Sequence, residues 1–148
     1  MITKYNTYIK ESLRNKMVGK SDDDLIKSIE ELSNNEKINM IDGHLDCSYN
    51  NLTELPDNLT VNGYLVCSNN QLTKLPDNLT VKGNLYCSYN NLTKLPDNLT
   101  VNGYLVCSNN QLTVLPDNLT VNGYLDCRNN KVKLNIPNDA KIKGEFIN

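Results

Sequence analysis

A short, constant repeat period runs through most of this chain and constrains its fold more than any other feature. Cysteine, glycine and a Leu-Pro pair each recur at the spacing that separates Cys47 from Cys67, and one full unit, residues 55–74, reads LPDNLTVNGYLVCSNNQLTK. A unit this short cannot enclose its few apolar side chains by itself, so successive units must stack and bury them against one another. The period therefore predicts a solenoid in which each repeat forms one turn.

The pattern inside one unit predicts a short strand followed by a return path. Around Leu65 and Cys67, apolar and outward-facing positions alternate, which is the period of a β-strand. These two side chains are expected to point into the core, and Leu79 and Val81 are expected to supply apolar contacts on the return path. Gly83 leads into the next strand, where we expect the backbone to need a positive φ.

These positions resemble a known repeat family. The pattern Leu65-x-Cys67-x-x-Asn70-x-Leu72-x-x-Leu75-Pro76 resembles the leucine-rich repeat, and it recurs over about residues 41–134. The repeat length and the Leu-Pro step are similar to the short bacterial class found in type III secreted effectors. The resemblance implies an α+β solenoid, namely a parallel β-sheet of about six strands behind an N-terminal helical hairpin cap.

The chain departs from that class at one position of each repeat. Polar residues stand three positions before the strand leucine, where the bacterial class has a leucine; they are Asn62, Lys82, Asn102 and Asn122. We expect Leu59 and Val61 to fill the space instead. The convex side is then extended chain, and a flat β-helix remains an open alternative.

The two ends of the repeat array need caps, because a terminal turn exposes its apolar face. Residues 1–40 are predicted to form a helical cap, with one helix over 2–18 and a second that begins at Ser21. The solenoid is predicted over 41–148, and its last, partial repeat over 135–148 contains a one-residue insertion. A run from Glu11 to Asp22 resembles an N-terminal module of bacteriophage-encoded proteins, as do the LPDNLTV-type arrays, so a phage origin is favoured over an effector origin.

Composition narrows the classes of function. A formal net charge of −2 gives no general attraction to nucleic acid or to an anionic membrane. The N-terminus has no apolar run of the kind that a secretory signal contains, so we expect a cytoplasmic protein, in the host bacterial cytoplasm if it is phage-encoded. No sequence motif pairs a nucleophile with a base or builds a phosphate loop, so neither an enzymatic activity nor a cofactor is expected.

Two columns of identical residues are predicted to be structural. One cysteine per turn, at an inward strand position, behaves as a small core hydrophobe, and neither the odd number nor the spacing suits disulfides or a metal. One asparagine per turn is expected to hydrogen-bond backbone groups of the adjoining turn. The two predicted ladders are Cys47, Cys67, Cys87, Cys107 and Cys127, and Asn50, Asn70, Asn90, Asn110 and Asn130.

The outward positions of the predicted sheet are the candidate binding surface, because tyrosine gives a large contact area at a low entropic cost. The candidate binding residues are Tyr64, Val66, Tyr86, Tyr89, Tyr104, Val106 and Tyr124, with Asp46 and Asp126 as a polar rim. The sequence predicts a module that binds a protein partner there. An alternative is that the tyrosines only stabilise the sheet. Two further alternatives for the whole protein are a self-associating virion or assembly component and a secreted effector-like protein.

Overall fold

The computed structural model describes residues 40–41 and 43–148, and this part of the chain is a parallel β-solenoid with two sheets. Each sheet contains six two-residue strands in strictly sequential order, so the predicted parallel solenoid is confirmed, with two sheets where the leading prediction had one. The predicted helical hairpin, which falls within residues 1–40, lies outside the described residues apart from Met40.

The rear sheet consists of β1 (Met40–Ile41), β3 (Thr60–Val61), β5 (Thr80–Val81), β7 (Thr100–Val101), β9 (Thr120–Val121) and β11 (Lys141–Ile142). The front sheet consists of β2 (Leu45–Asp46), β4 (Leu65–Val66), β6 (Leu85–Tyr86), β8 (Leu105–Val106), β10 (Leu125–Asp126) and β12 (Phe146–Ile147).

The rear sheet forms where the sequence departs from the leucine-rich repeat. The amide of Thr80 donates to the carbonyl of Leu59 over 3.0 Å, and the amide of Lys82 donates to that of Val61 over 2.9 Å. These bonds give the return path its own parallel ladder, as in the β-helix alternative. Leu59 and Val61 are fully buried beneath it. They fill the space that a leucine three positions before the strand leucine would otherwise occupy.

The core is a stack of layers between the two sheets, one layer per turn. Neighbouring turns pair in register at an interval of one repeat, for example Leu65 with Leu85. The first four layers contribute the same set of buried side chains; in the second layer these are Leu65, Cys67, Leu72, Leu75, Leu79 and Val81. Because each side chain lies against its own counterpart one turn away, burial depends on the stacking and not on any single turn.

The repeated glycine is required for close approach between turns, and the expected positive φ at Gly83 is wrong. Among the glycines of the described residues, only Gly43 has a φ in that region, at 121°. A Cβ at Gly83 would lie 2.7 Å from the carbonyl oxygen of Gly63 and 2.6 Å from the ring of Tyr64. Glycine is therefore needed because the next-door turn occupies the space of a side chain.

The inner asparagines tie adjacent turns together. The Nδ2 of Asn70 donates to the carbonyls of Cys47 and Cys67, both over 3.0 Å. Its Oδ1 accepts from the amides of Asn50 over 3.0 Å and Leu52 over 2.9 Å. One side chain thus satisfies backbone groups of two turns, and no strand partner bonds those groups. An unsatisfied amide at such a buried position is costly.

The last turn accommodates its inserted residue without losing register. Phe146 pairs with Leu125, so this turn is one residue longer than the others, and the amide of Gly144 still donates to the carbonyl of Gly123. Asn148 then stands where earlier turns have cysteine. Its side-chain amide both donates to and accepts from the backbone of Leu134, so it satisfies polar groups of the final loop.

Candidate binding surface

Three outward columns of the front sheet and its following bend form a surface that we call the tyrosine face. The first column holds His44, Tyr64, Asn84, Tyr104 and Tyr124, and the second holds Asp46, Val66, Tyr86, Val106 and Asp126. The third column holds Tyr49, Asn69, Tyr89, Asn109 and Asn129. Each candidate binding residue predicted from the sequence lies in one of these columns, and all of them except the buried Asp126 are at least partly exposed.

The first column contains two aromatic stacks. His44 lies on Tyr64 and Tyr104 lies on Tyr124, each pair with ring centroids 4.3 Å apart. The stacks follow from the in-register pairing, which sets neighbouring turns roughly 4.8 Å apart. Tyr64 remains 45% exposed and Tyr104 42% exposed, so each stack stabilises the sheet and also leaves ring surface open to a partner.

Asn84 separates the two stacks, and its side chain bonds within its own turn and to the next one. Its Oδ1 accepts the backbone amide of Tyr104 over 2.9 Å, and its Nδ2 donates to the hydroxyl of Tyr86 over 2.9 Å. His44 has the equivalent role two turns earlier, since its Nδ1 accepts the backbone amide of Tyr64 over 2.8 Å. No sequence signal indicated this shared acceptor role, because histidine and asparagine occupy the same column without any other similarity.

The third column has an unusual backbone. Tyr49 and Tyr89 have φ values of 59° and 54°, and the asparagines of the column lie in the same left-handed region. Asparagine tolerates that region, whereas a bulky side chain there is a genuine outlier. Both tyrosine rings nevertheless project into solvent, with exposures of 74% for Tyr49 and 58% for Tyr89.

The two acidic residues at the ends of the second column differ in their surroundings. Asp46 is exposed, and its carboxylate accepts from the backbone amide and the hydroxyl of Ser48. Asp126 is buried and forms a two-point ion pair with Arg128, over 3.0 Å to Nε and 2.8 Å to the terminal nitrogen. These hydrogen bonds hold the pKa of Asp126 below its usual value. Asp126 thus positions Arg128 and is not a free rim carboxylate.

The remaining apolar members of the face are half-buried. Val66, Tyr86 and Val106 lie beside the aromatic stacks, and Tyr124 is more enclosed than the other tyrosines of its column. Burial, followed by the nearby charges of Tyr86 and Asp126, raises the pKa of Tyr124. The hydroxyl of Tyr124 therefore stays protonated near neutral pH and acts as a hydrogen-bonding group, not as a base.

The cysteine ladder lies on the opposite side of the front strands, inside the core. All five thiols are free and buried. Burial raises the pKa of Cys67 to about 12, so the reactive thiolate is suppressed. Over residues 40–41 and 43–148, no cluster of three or more metal-ligating side chains occurs. Within the same ranges, no helix has the length and apolarity needed to cross a bilayer.

The fold and this surface together define a parallel β-solenoid repeat protein with an aromatic outer face. Comparison with protein-family models finds no match, and searches of curated proteins and of solved structures find none either.

Proposed function

We propose that this protein is a non-enzymatic binding module that engages a protein partner through the tyrosine face. The observation that carries the proposal is the pair Tyr49 and Tyr89. Each holds a bulky ring in a left-handed backbone conformation that costs roughly 1–2 kcal/mol for most L-residues. In the free protein each ring is more than half exposed, so burial does not offset that cost.

Backbone outliers concentrate at functional sites, because selection there acts on something other than stability. The other turns have asparagine at this position, a residue that tolerates the left-handed backbone well; these are Asn69, Asn109 and Asn129. Tyrosine is among the residues most enriched in binding hot spots. The asparagine-to-tyrosine difference in two of five turns is therefore explained by contact with a partner.

A quantitative capture experiment tests this proposal. The protein is used as bait in a lysate of the cells that produce it, beside the double variant Tyr49→Asn/Tyr89→Asn, and bound proteins are compared by mass spectrometry. The matched control is Thr80→Ser/Thr100→Ser on the rear sheet. We expect one partner to be retained by wild type and control but reduced about tenfold or more by the tyrosine variant, a change of about 1.4 kcal/mol. Equal retention by all three baits refutes the proposal.

The same proposal includes the class of repeat to which the protein belongs and the kind of genome that encodes it. The inner asparagine bonds, the Leu-x-Cys strand and the Leu-Pro step support a leucine-rich repeat of the short bacterial type, with the rear sheet as its distinctive feature. Encoding by a bacteriophage, with the host bacterial cytoplasm as the site of action, is supported by the sequence resemblance of the repeat array and of residues 11–22. The genes adjacent to the coding sequence test this origin.

A second candidate function is assembly through the C-terminal end. Strands β11 and β12 end their sheets, so their outer edges have no further turn among the described residues. Nearby Val132 is 47% exposed and Ile136 40% exposed. Exposed lysines at 131, 133, 141 and 143 oppose edge-to-edge pairing, which is why we rank this candidate second. Light scattering coupled to size exclusion tests it, and a monomer at all concentrations rejects it.

A further inference from the structure

Three turns contain the same seven residues, Leu-Thr-Val-Asn-Gly-Tyr-Leu, at 59–65, 99–105 and 119–125. Asparagine followed by glycine deamidates readily, because glycine has no side chain to hinder its own backbone nitrogen as that nitrogen attacks the asparagine amide. The asparagines of these three Asn-Gly pairs are Asn62, Asn102 and Asn122. Since their local sequences are identical, a difference in their reactivity in the native protein must come from the fold.

At Asn102 and Asn122, both reacting groups are held by hydrogen bonds. The Nδ2 of Asn122 donates to the Oδ1 of Asn102 over 3.3 Å, which ties the two side chains together. The backbone nitrogens that would attack are also bonded. The amide of Gly103 donates to the carbonyl of Gly83 over 3.0 Å, and the amide of Gly123 donates to that of Gly103 over 2.9 Å. Ring closure at either asparagine therefore has to break a side-chain bond and a backbone bond.

Asn62 lacks both restraints. In the next turn, Lys82 stands where an asparagine would continue the side-chain ladder. The Oδ1 of Asn62 is buried and accepts no hydrogen bond within the described part of the chain. The amide of Gly63 likewise has no acceptor among the described residues. Both residues lie in the bend between β3 and β4, outside either strand, so the attacking nitrogen and the attacked side chain are free to approach each other.

We propose that Asn62 is a site of spontaneous deamidation, which the fold favours over Asn102 and Asn122. The backbone nitrogen of Gly63 forms a bond to Cγ of Asn62, and the bond from Cγ to Nδ2 breaks. The proton of the Gly63 amide passes through solvent to the departing nitrogen, which leaves as ammonia. Water then opens the cyclic imide at one of its two carbonyls, and the products are aspartate and isoaspartate at position 62. Water is the only co-reactant, and the reaction does not depend on the proposed binding function.

The two hydrogen bonds at Asn102 or Asn122 determine the size of the expected difference. The net contribution of a protein hydrogen bond is modest, because water replaces a bond that is broken. We expect Asn62 to deamidate about tenfold faster than either of the other two, which corresponds to a difference in activation free energy of about 1.4 kcal/mol. Asn62 as a whole is only half-buried, so water can reach the imide for the second step.

The test incubates the full-length protein in warm, mildly alkaline buffer, with circular dichroism to show that it stays folded, and follows each site by mass spectrometry of tryptic peptides. Cleavage after Lys74 and Lys94 places Asn62 on a different peptide from the other two sites, which share residues 95–128 and are distinguished by fragmentation. The matched control is the same protein unfolded in urea. There the identical local sequences should make the three rates agree within about twofold.

The proposal requires the difference to appear in the folded protein and to vanish in urea. Equal rates at the three sites of the folded protein overturn it, as does a faster reaction at Asn102 or Asn122. A preference for Asn62 that persists in urea assigns the difference to sequence and also overturns the proposal. The variant Asn62→Gln, whose longer side chain cannot close the same five-membered ring, should lose the mass change of its peptide. A mass change that remains in that variant places the reaction at another residue and rejects the assignment.

Discussion

Replacement of Asn90 by alanine tests the inner asparagine ladder most sharply. The Oδ1 of Asn90 accepts the amide of Leu72 over 3.0 Å, and that amide has no other partner among the described residues. The Nδ2 donates to the carbonyls of Cys67 over 3.0 Å and Cys87 over 3.2 Å. It also donates to the carbonyl of Ser88 over 3.3 Å. The substitution thus orphans one buried amide and removes one bond from each of three carbonyls.

The expected cost follows from those four losses. An unsatisfied buried amide costs about 1–3 kcal/mol, and a hydrogen bond from a group that keeps another partner contributes about 0.5–1.5 kcal/mol. All three carbonyls keep such a partner. The Nδ2 atoms of Asn70 and Asn110 reach those of Cys67 and Cys87, and the amide of Asn69 reaches that of Ser88. Asn90 is 8% exposed, so water offsets part of the loss. We expect the free energy of unfolding to fall by about 2–4 kcal/mol.

Urea unfolding followed by far-ultraviolet circular dichroism measures this change. The matched control is Asn102→Ala, since Asn102 is exposed and its side chain bonds only to that of Asn122 in the described structure. We expect that control to change the free energy of unfolding by less than about 0.5 kcal/mol. Similar effects of the two alanine substitutions would refute the assignment of the inner column as a structural ladder.

Tyr49→Asn and Tyr89→Asn should each stabilise the protein by up to about 1 kcal/mol, because asparagine tolerates the left-handed backbone better; a loss of stability in urea unfolding would contradict the strain argument. Gly83→Ala should destabilise by about 1–3 kcal/mol because a neighbouring backbone carbonyl occupies the Cβ position, and a neutral effect in the same assay would show that the turns are farther apart. Cys67, with its pKa near 12, should resist a thiol reagent at mildly alkaline pH until urea is added; peptide mapping that finds it modified in the native protein would contradict its burial. The lowered pKa of Asp126 stabilises the fold fully above its unfolded value of about 3.9 and progressively less as the pH falls through the folded value, so Asp126→Asn should flatten the acid limb of a thermal stability profile, and an unchanged limb would count against the ion pair.

The repeat period made most of the fold predictable. A constant interval with leucine and cysteine at fixed positions leaves parallel stacking as the way to bury Leu65 and Cys67, and the structure has that arrangement. The sequence pattern predicts the rear sheet only as an alternative. Its strands are two residues long, and a pair such as Thr60–Val61 is too short to show a strand period.

The misassigned glycine shows what a sequence period leaves undetermined. An invariant position in a repeat marks a constraint without saying whether the constraint is a backbone angle or a neighbouring atom. At Gly83 it is the carbonyl of Gly63, and that contact depends on how closely the turns stack. The role of Asn148 was missed for a related reason. The one-residue insertion in the last repeat places Asn148 at the position that cysteine occupies in earlier turns, and its side chain there bonds the backbone of Leu134.

The candidate surface was predictable in position but not in its chemistry. Alternation along each strand placed Tyr64 and Tyr104 outward. The left-handed backbone at Tyr49 and Tyr89 was not foreseen, although Asn69 in the same column carries the relevant signal, since asparagine is enriched in that region. The pairing of Asp126 with Arg128 was also missed. A spacing of two residues puts both side chains on the same face, but it does not show whether they form an ion pair or make separate contacts.

The core, the asparagine ladder and the tyrosine face all depend on in-register stacking of successive turns, and a cysteine cross-linking pair measures that stacking directly. Thr60 and Thr80 are register partners on the outside of the rear sheet, while Thr100 lies one turn farther. A disulfide needs Cα atoms within about 7 Å, which one turn of about 4.8 Å allows and two turns do not. At low protein concentration under mild oxidation, with peptide mapping to exclude the native thiols, Thr60→Cys/Thr80→Cys should cross-link within one chain and Thr60→Cys/Thr100→Cys should not. Cross-linking of the second pair, or failure of the first, would contradict the stacked solenoid.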